Sequence, residues 1–243
     1  MDKSIYVAMN GAKATFDRVA RISNNLANAN TSGFRAEMMS TKALYVQADQ
    51  GMPTRVFSTE APAGFKTDSG ALNHTGNPLD VAIKGQGWFA VQAGSGEGYT
   101  RAGDLVVSAD GTLSTAAGKP VLGDGGPIQI PQGASAISFG EDGTLSVQQN
   151  KVWQPVGKLK LVNPDPKTMT RGEDGFFRMA NGQAASVDER VRIVPGAVES
   201  SNVSVIEEMT RMIEAQRRLD VQTQLMQKMD QDGGKASQIL NLG

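Results

Sequence analysis

The chain has 243 residues, a formal net charge of −1, 39% hydrophobic residues and 20% charged residues. A nearly neutral chain lacks the basic surface that nucleic-acid binding requires, so we expect no nucleic-acid partner. The absence of cysteine excludes disulfides, thiolate metal sites and cysteine nucleophiles, and a single histidine, His74, excludes a site with two histidine ligands. No run approaches the roughly 18–20 apolar residues that cross a bilayer, so we expect no stable membrane insertion. The apolar run 5–9 is also too short for a cleaved signal peptide.

Residues 3–30 are predicted to form one amphipathic helix. Apolar residues recur every seven positions, and others lie three or four positions further along, as in an a/d stripe. Turn-forming residues after position 27 end the pattern, and Gly33 is predicted to take a left-handed C-cap conformation. The candidate assembly stripe of this helix is Ile5, Met9, Ala12, Phe16, Val19 and Leu26, accompanied by Ala8 and Ile22.

Residues 35–75 are predicted to be an extended linker that is rich in glycine and proline. The segment has few periodic apolar residues, and a structureless connection of this length is uncommon inside a compact domain. We therefore expect a neighbouring chain to order it.

Residues 76–197 are predicted to form an antiparallel β domain, a sandwich or a barrel. Short apolar runs alternate with Gly, Asp, Asn and Pro, which are typical of turns. Asp-Gly recurs at 110–111, 142–143 and 174–175, and this dipeptide supplies the positive φ angles of a two-residue hairpin turn. Together with the terminal helices, this pattern predicts an α+β fold.

Residues 198–231 are predicted to form a second amphipathic helix within a C-terminal segment 198–243. Ser204 and Glu207 have the spacing of a capping box, and Gly233-Gly234 are expected to end the helix. The candidate assembly stripe of this helix is Val205, Met209, Met212, Leu219 and Met226. Both stripes have a heptad-like period that suits helix-on-helix packing, and the pattern leaves an intramolecular hairpin and an assembly interface equally open.

The sequence contains no recognisable catalytic, metal-binding or cofactor-binding constellation. It has no Walker loop, no nucleophile elbow and no zinc-protease helix motif, so we predict that the protein is not an enzyme. His74 is expected to be a hydrogen-bonded loop residue, and the Asp-Gly acids are expected to be turn residues rather than calcium ligands. Asp80 and Arg101 are expected to form an ion pair or turn contacts. The alternative function class is a secreted carbohydrate-binding module that uses Trp88 or Trp153.

Three motifs, in order along the chain, resemble those of bacterial flagellar rod and hook proteins. Residues 23–34, SNNLANANTSGF, resemble the N-terminal signature, although Ser23 replaces the usual Ala. Segments 75–89 and 99–103 resemble the central segment of the family, and segments 201–203, 207–209 and 212–217 resemble its C-terminal motif. The residues that match the N-terminal signature are Asn24, Asn25, Asn28, Thr31, Gly33 and Phe34.

This resemblance implies a structural component of the flagellar basal-body rod. The implied partners are further copies of the chain, other rod subunits and, in transit, the flagellar type III export apparatus. Helices 1–34 and 198–243 would form an inner tube around the export channel, with the β domain outside and segment 35–75 between subunits. The implied location is the rod in the periplasm, reached without a cleaved signal peptide. The opening residues 1–12 look most like the proximal-rod member of the family, with the distal-rod member as the alternative.

Overall fold

A computed structural model describes residues 3–45, 56–94 and 96–240, without the side chains of 3–7, 41–45, 56–62, 233 and 235–240. The described residues form an α+β fold of two helices and several antiparallel sheets. The chain divides into two compact units: unit 1 comprises 1–28, 37–65 and 203–243, and unit 2 comprises 29–36 and 66–202.

Unit 1 combines both terminal helices with a two-stranded ribbon. The helices are α1 (Lys3–Ala27) and α2 (Val205–Leu240), and they pack against each other. Strands β1 (Glu37–Tyr45) and β2 (Val56–Phe65) pair antiparallel from Glu37↔Phe65 to Tyr45↔Val56. The ribbon packs on α1.

Both helices differ in length from the sequence prediction. Helix α1 ends at Ala27, before the predicted end at 30, and the side-chain amide of Asn28 donates to Asn24 O at this end. Helix α2 begins at Val205 rather than at 198, since residues 197–199 form a strand. The predicted break at Gly233-Gly234 is wrong, and α2 continues to Leu240. An interior glycine costs a helix only about 1 kcal/mol relative to alanine, which a long helix tolerates.

The segment predicted as an extended linker, 35–75, contains the paired strands β1 and β2. Pro62 and Gly64 lie inside β2, and Pro62 pairs with Met39 beside a register irregularity at Met38/Met39. A two-stranded ribbon tolerates proline because each strand has an open edge that needs no ladder hydrogen bonds. The chain therefore orders the described part of this segment by its own pairing, whereas its predicted position between subunits stays a prediction.

Unit 2 is built from short antiparallel strands and a 3₁₀ turn at Pro166–Thr168. The strands are β3 (Leu72–His74), β4 (Val81–Lys84), β5 (Trp88–Ala93), β6 (Gly96–Thr100), β7 (Leu105–Val107), β8 (Leu113–Thr115), β9 (Leu122–Gly123), β10 (Gly126–Pro127), β11 (Ala136–Phe139), β12 (Thr144–Gln149), β13 (Val152–Lys158), β14 (Leu161–Val162), β15 (Met169–Arg171), β16 (Phe177–Met179), β17 (Arg192–Pro195) and β18 (Ala197–Glu199). A five-stranded sheet has the order β14-β5-β6-β16-β15, and a three-stranded sheet has the order β11-β12-β13. The other strands form the four pairs β3–β18, β4–β17, β7–β8 and β9–β10.

The described strands of unit 2 do not close into a barrel, one of the two forms that the sequence suggested. Closure needs a continuous ladder around the sheet, and strands of two to seven residues interrupted by turns end before one is completed. The sandwich form stays a prediction. Apolar side chains from several of these sheets share one core, which includes Val81, Phe89, Leu113, Leu145, Leu159 and Ile193.

The three Asp-Gly dipeptides of unit 2 adopt the same turn. Gly111, Gly143 and Gly175 have φ of +83°, +86° and +83°, and each donates its backbone N–H to the carbonyl three residues earlier. These turns join β7 to β8, β11 to β12 and β15 to β16, so the predicted hairpins are present. In each turn only the glycine has a positive φ, and the residue that accepts its N–H donates its own N–H to the carbonyl of the residue after the glycine. The turns are therefore three-residue hairpin loops with a glycine bulge rather than the expected two-residue loops. Among the described residues, the two-residue form occurs at Asn150-Lys151, with φ of 52° and 67° between β12 and β13.

Candidate assembly surfaces and the family motif

One face of each terminal helix lies inside unit 1, and its residues are spaced alternately by three and four. On α1 this inner row is Ala8, Ala12, Thr15, Val19, Ile22 and Leu26; on α2 it is Glu208, Met212, Ala215, Leu219, Gln222, Met226 and Met229. The rows meet where Thr15 Oγ1 donates to Gln222 Oε1 at 3.1 Å. A Cβ at Gly11 would lie 3.0 Å from Gln222 Nε2, so this crossing is close.

The predicted assembly stripes are divided between this inner row and the helix surface. Ala12, Val19, Leu26, Met212, Leu219 and Met226 belong to the inner rows. The others are exposed: Met9 is 57% exposed, Phe16 62%, Val205 41% and Met209 52%. The side chain of Ile5 lies outside the described residues. Met9, Phe16 and Met209 follow inner-row residues by one position, which turns them about 100° around the helix.

Several of the exposed apolar side chains form a second row on each helix, here called the outer row, whereas Val205, Val221 and Leu225 are exposed outside it. On α1 it contains Met9 and Phe16, seven residues apart, followed by the exposed Ala20 and Ala27. On α2 it contains Ile206, Met209 and Ile213, which are 79%, 52% and 50% exposed. The spacings of three, four and seven residues place each set on one helix face. Among the side chains that the structure describes, each helix therefore has one apolar face covered within unit 1 and a second apolar face that is exposed.

The asparagines of the N-terminal signature act within the chain. Asn25 is 2% exposed, and its side-chain amide binds both backbone groups of Glu37: Nδ2 donates to the carbonyl at 3.2 Å and Oδ1 accepts the N–H at 2.9 Å. An amide that donates and accepts in this way imitates a neighbouring strand. Asn25 therefore ties the start of β1 to the last turns of α1, while Asn24 contributes its carbonyl to the helix end.

Gly33 has the predicted left-handed conformation, with φ of +66°, but it is not the C-cap of α1, which ends six residues earlier. Its N–H donates to Glu199 O at 2.7 Å. A Cβ at this position would lie 2.2 Å from Arg101 C, so the backbone of residues 101–102 leaves no room for a side chain. The turn before it closes where Phe34 N–H donates to Thr31 O.

The residues after Gly33 dock into unit 2 through aromatic and charged contacts. Phe34 is buried under the guanidinium of Arg171, which lies 4.3 Å from the ring centroid. Arg35 Nη2 lies 2.7 Å from Glu199 Oε1, and Arg101 Nε lies 3.3 Å from Glu199 Oε2. All three charged side chains are at most 3% exposed. Burial lowers the pKa of Arg101 to about 10, an effect that the Glu199 charge opposes and the Arg35 charge reinforces.

The sequence patterns single out neither Arg35 nor Glu199, and the expected partner of Arg101 was Asp80. In the structure, the carboxylate of Asp80 accepts hydrogen bonds from Thr75 Oγ1 at 2.6 Å and Asn77 Nδ2 at 2.9 Å, which are turn contacts. The available signal was that Arg35 directly follows the signature and Glu199 lies two residues before the C-terminal motif.

Comparisons with known proteins bear on these segments. Residues 5–35 match the family described as "Flagella basal body rod protein", residues 82–147 match "Flagellar hook protein FlgE/F/G D1 domain", and residues 194–239 match "Flagellar basal body rod FlgEFG protein C-terminal". The chain is 40% identical to the flagellar basal-body rod protein FlgF of Salmonella typhimurium and 39% identical to that of Escherichia coli, each over the full length of both chains. It is 29% identical to FlgG of Bacillus subtilis over 95% of this chain and 96% of that one.

The chain belongs to the FlgE/F/G family of flagellar rod proteins. Its similarity to FlgF exceeds its similarity to FlgG, so it is an FlgF-like rod protein and a structural component of the flagellar basal-body rod. The predicted function is confirmed at this level. The N-terminal match spans most of α1 and the signature, the middle match runs from β4 into β12, and the C-terminal match contains β18 and most of α2.

The remaining candidate residues are structural where the structure describes them. His74 is an exposed residue of β3, paired with Ala197 rather than lying in a loop. Trp88 is buried, 4.8 Å from Phe177 between ring centroids, and cannot line a sugar site, whereas Trp153 is exposed. In the described ranges, no three acidic or histidine side chains are grouped as metal ligands. No helix there has the length and hydropathy of a membrane span.

Proposed function

We propose that this rod protein is the proximal-rod subunit of a helical axial assembly that transmits torque and surrounds the export channel. The observation that supports the proposal is the uncovered outer row on both terminal helices. A subunit in a tube of helices needs contacts on two sides of each helix, whereas a helical hairpin needs only one. A head-to-tail contact that does not close into a ring generates such a helical assembly.

The inner rows would pack as a coiled-coil-like pair within each subunit, and the outer rows would pack against the helices of neighbouring rod subunits. Full burial of an apolar side chain of this size contributes about 1.5–3 kcal/mol. Covering Met9, Phe16, Ile206, Met209 and Ile213, each at least half exposed, would therefore stabilise the assembled state by several kcal/mol per subunit. The β1–β2 ribbon would lie between subunits, and the β strands of unit 2 would lie outside the tube.

Export through the flagellar type III apparatus, without a cleaved signal peptide, would bring the chain to the periplasmic part of the rod. A chain without cysteine cannot be trapped by disulfides before or during such export. Amphipathic helices with part of their apolar surface uncovered are marginal alone, so they would order fully only when neighbouring subunits cover them.

Complementation tests this proposal in a strain that lacks the chain. Phe16→Ser and Ile213→Ser remove one outer-row side chain from each helix, and we expect each to reduce swimming strongly while the near-ultraviolet circular dichroism of unit 2 stays unchanged. The matched controls are Asp17→Ser and Glu214→Ser, which change exposed polar residues at the next positions and should leave swimming normal. Normal rods in basal bodies from both Phe16→Ser and Ile213→Ser cells would refute the proposed interface.

A further inference from the structure

The chain crosses from one unit to the other four times, after residues 28, 36, 65 and 202, and each crossing is here called a passage. On the unit 2 side, all four passages begin or end in one of three segments, 29–36, 66–71 and 199–202. These three segments are bonded directly to one another inside unit 2. Gly33 N–H donates to Glu199 O at 2.7 Å, Lys66 N–H donates to Ala36 O at 2.8 Å, and Ser200 N–H donates to Ala71 O at 2.8 Å.

Asn202 uses its side chain to bind two of the other passages. Its Oδ1 accepts the Ala36 N–H at 2.8 Å, and its Nδ2 donates to the carbonyls of Lys66 at 3.0 Å and Asp68 at 2.8 Å. Its backbone N–H donates to Phe34 O at 3.3 Å. One amide thus holds the segment that leads into β1, the segment that follows β2 and the segment that leads into α2.

The charged carboxylate of Glu199 also joins several passages. Its Oε1 lies 2.7 Å from Arg35 Nη2 and accepts the Gly70 N–H at 2.9 Å, and its Oε2 lies 3.3 Å from Arg101 Nε. Arg101 also donates to Ser69 Oγ at 3.1 Å. The passage before β1, the passage after β2 and the passage before α2 therefore meet at a single buried carboxylate.

Stability alone does not account for this arrangement. A buried ion pair often contributes little net stability, because desolvation of both charges offsets their attraction. Here one carboxylate faces two guanidinium groups, which is an unbalanced set in a buried site. The best-attested benefit of buried polar groups is that they select one arrangement of the chain among several.

We propose that Arg35, Glu199, Arg101 and Asn202 form a junction that holds the unit 2 ends of the four chain passages in one arrangement, and that rod assembly requires this arrangement. The junction residues are positioning residues, since each acts on neighbouring rod subunits through unit 1 rather than by touching them. The assembly part of this inference rests on the proposed function, whereas the junction itself is testable on the isolated chain.

The decisive variant is Arg35→Met, with Arg35→Lys as the conservative variant. Methionine keeps much of the side-chain volume and leaves Glu199 paired with Arg101, so we expect unit 2 to keep its unfolding midpoint to within a few degrees. We expect chymotrypsin to cleave the full chain after Phe34 and Phe65 at least tenfold faster than in the wild type. Both residues border passages and are only 5% and 6% exposed in the intact protein. Lysine retains the charge and should restore most of the protection.

A matched control separates positioning from general destabilisation. Val147→Ala weakens the unit 2 core away from the junction, and it should lower the unfolding midpoint without exposing Phe34 or Phe65 selectively. Asn202→Asp, which keeps the acceptor for Ala36 and loses both donors, should expose the same two sites as Arg35→Met. In cells, Arg35→Met should give at least tenfold fewer complete rods than Val147→Ala.

The possible outcomes distinguish this proposal from the proposed function. Unchanged cleavage after Phe34 and Phe65 in both Arg35→Met and Asn202→Asp would overturn the junction, whatever the cells show. Faster cleavage with normal rod numbers would overturn its role in assembly. A wild-type chain that fails to restore rods to the deletion strain would refute the proposed function and leave the proteolysis result standing.

Discussion

Gly33→Ala is the substitution whose effect is most directly determined by the geometry of the family signature. The residue has φ of +66°, and the left-handed region costs a residue with a Cβ about 1–2 kcal/mol. The added Cβ would also lie 2.2 Å from Arg101 C and 2.3 Å from Ala102 N. Backbone atoms cannot rotate away, so residues 101–102 must shift, and overpacking of this kind costs about 1–3 kcal/mol. We expect a total destabilisation of about 2–5 kcal/mol.

Gly76→Ala is the matched control for the conformational part of this cost. Gly76 also lies in unit 2 and has φ of +72°, but nothing lies within 4 Å of a Cβ built there. It should lose only the conformational 1–2 kcal/mol. Urea unfolding followed by near-ultraviolet circular dichroism, with a thermal scan expected to show about 2–4 °C per kcal/mol, measures both variants. Equal destabilisation of the two variants would refute the argument that the signature glycine is required by close backbone approach.

Two further predictions concern a buried phenol and the helix pair. Tyr99 is 1% exposed, and burial raises its pKa to about 12 although Ala185 N–H donates to its oxygen. A phenol whose pKa is raised on folding stabilises the folded state below about pH 10, and this contribution is lost as the pH rises towards 12. Over this pH range the urea midpoint of the wild type should therefore fall more steeply than that of Tyr99→Phe. Leu26→Asp and Leu219→Asp place a charge in the inner rows, and each should abolish swimming while unit 2 keeps its unfolding midpoint; normal swimming by either variant would contradict the role of the helix pair.

The sequence predicted the existence of both helices and of the hairpins, because these depend on local patterns. Heptad spacing, the capping serine and the Asp-Gly dipeptides act over a few residues. Ser204 accepts the Glu207 N–H at 3.4 Å as the capping box predicts, although the Glu207 carboxylate faces Arg211 at 3.7 Å instead of the helix start. Helix ends were less predictable, because contacts from other segments decide them.

Which helix face is covered could not be predicted from the sequence. Ala8 and Met9 are both apolar and adjacent, although only Ala8 belongs to the inner row. Thr15, a small polar residue of the inner row, is followed by the larger Phe16. Two overlapping rows, offset by one residue, therefore fit the same heptad period. Only the packing partner distinguishes the rows, and in α1 the partner surface includes a residue as distant as Gln222.

The junction was also beyond sequence reasoning, for a different physical reason. Arg35, Arg101 and Glu199 are far apart along the chain, and charged residues are usually solvated, so composition favours an exposed position for each. Their burial depends on the return of β18 beside the signature, which is a long-range feature of the fold. Gly33 of the signature lies beside the junction, but the residues that it and Arg35 contact are in segments without periodic patterns.

The size of the side chains on the two helix rows favours assembly over a stable isolated hairpin. Inside unit 1 the inner rows mix small or polar residues, among them Ala8, Ala12, Thr15 and Ala215, with larger apolar residues such as Ile22, Leu26 and Leu219. The larger Phe16 and Ile206 are on the outer row, 62% and 79% exposed. Because apolar burial stabilises in proportion to area, a pair of this kind gains less from folding alone than from packing beside further helices. A monomer selected only for its own stability would not be expected to leave side chains as large as Phe16 and Ile206 uncovered on its helices.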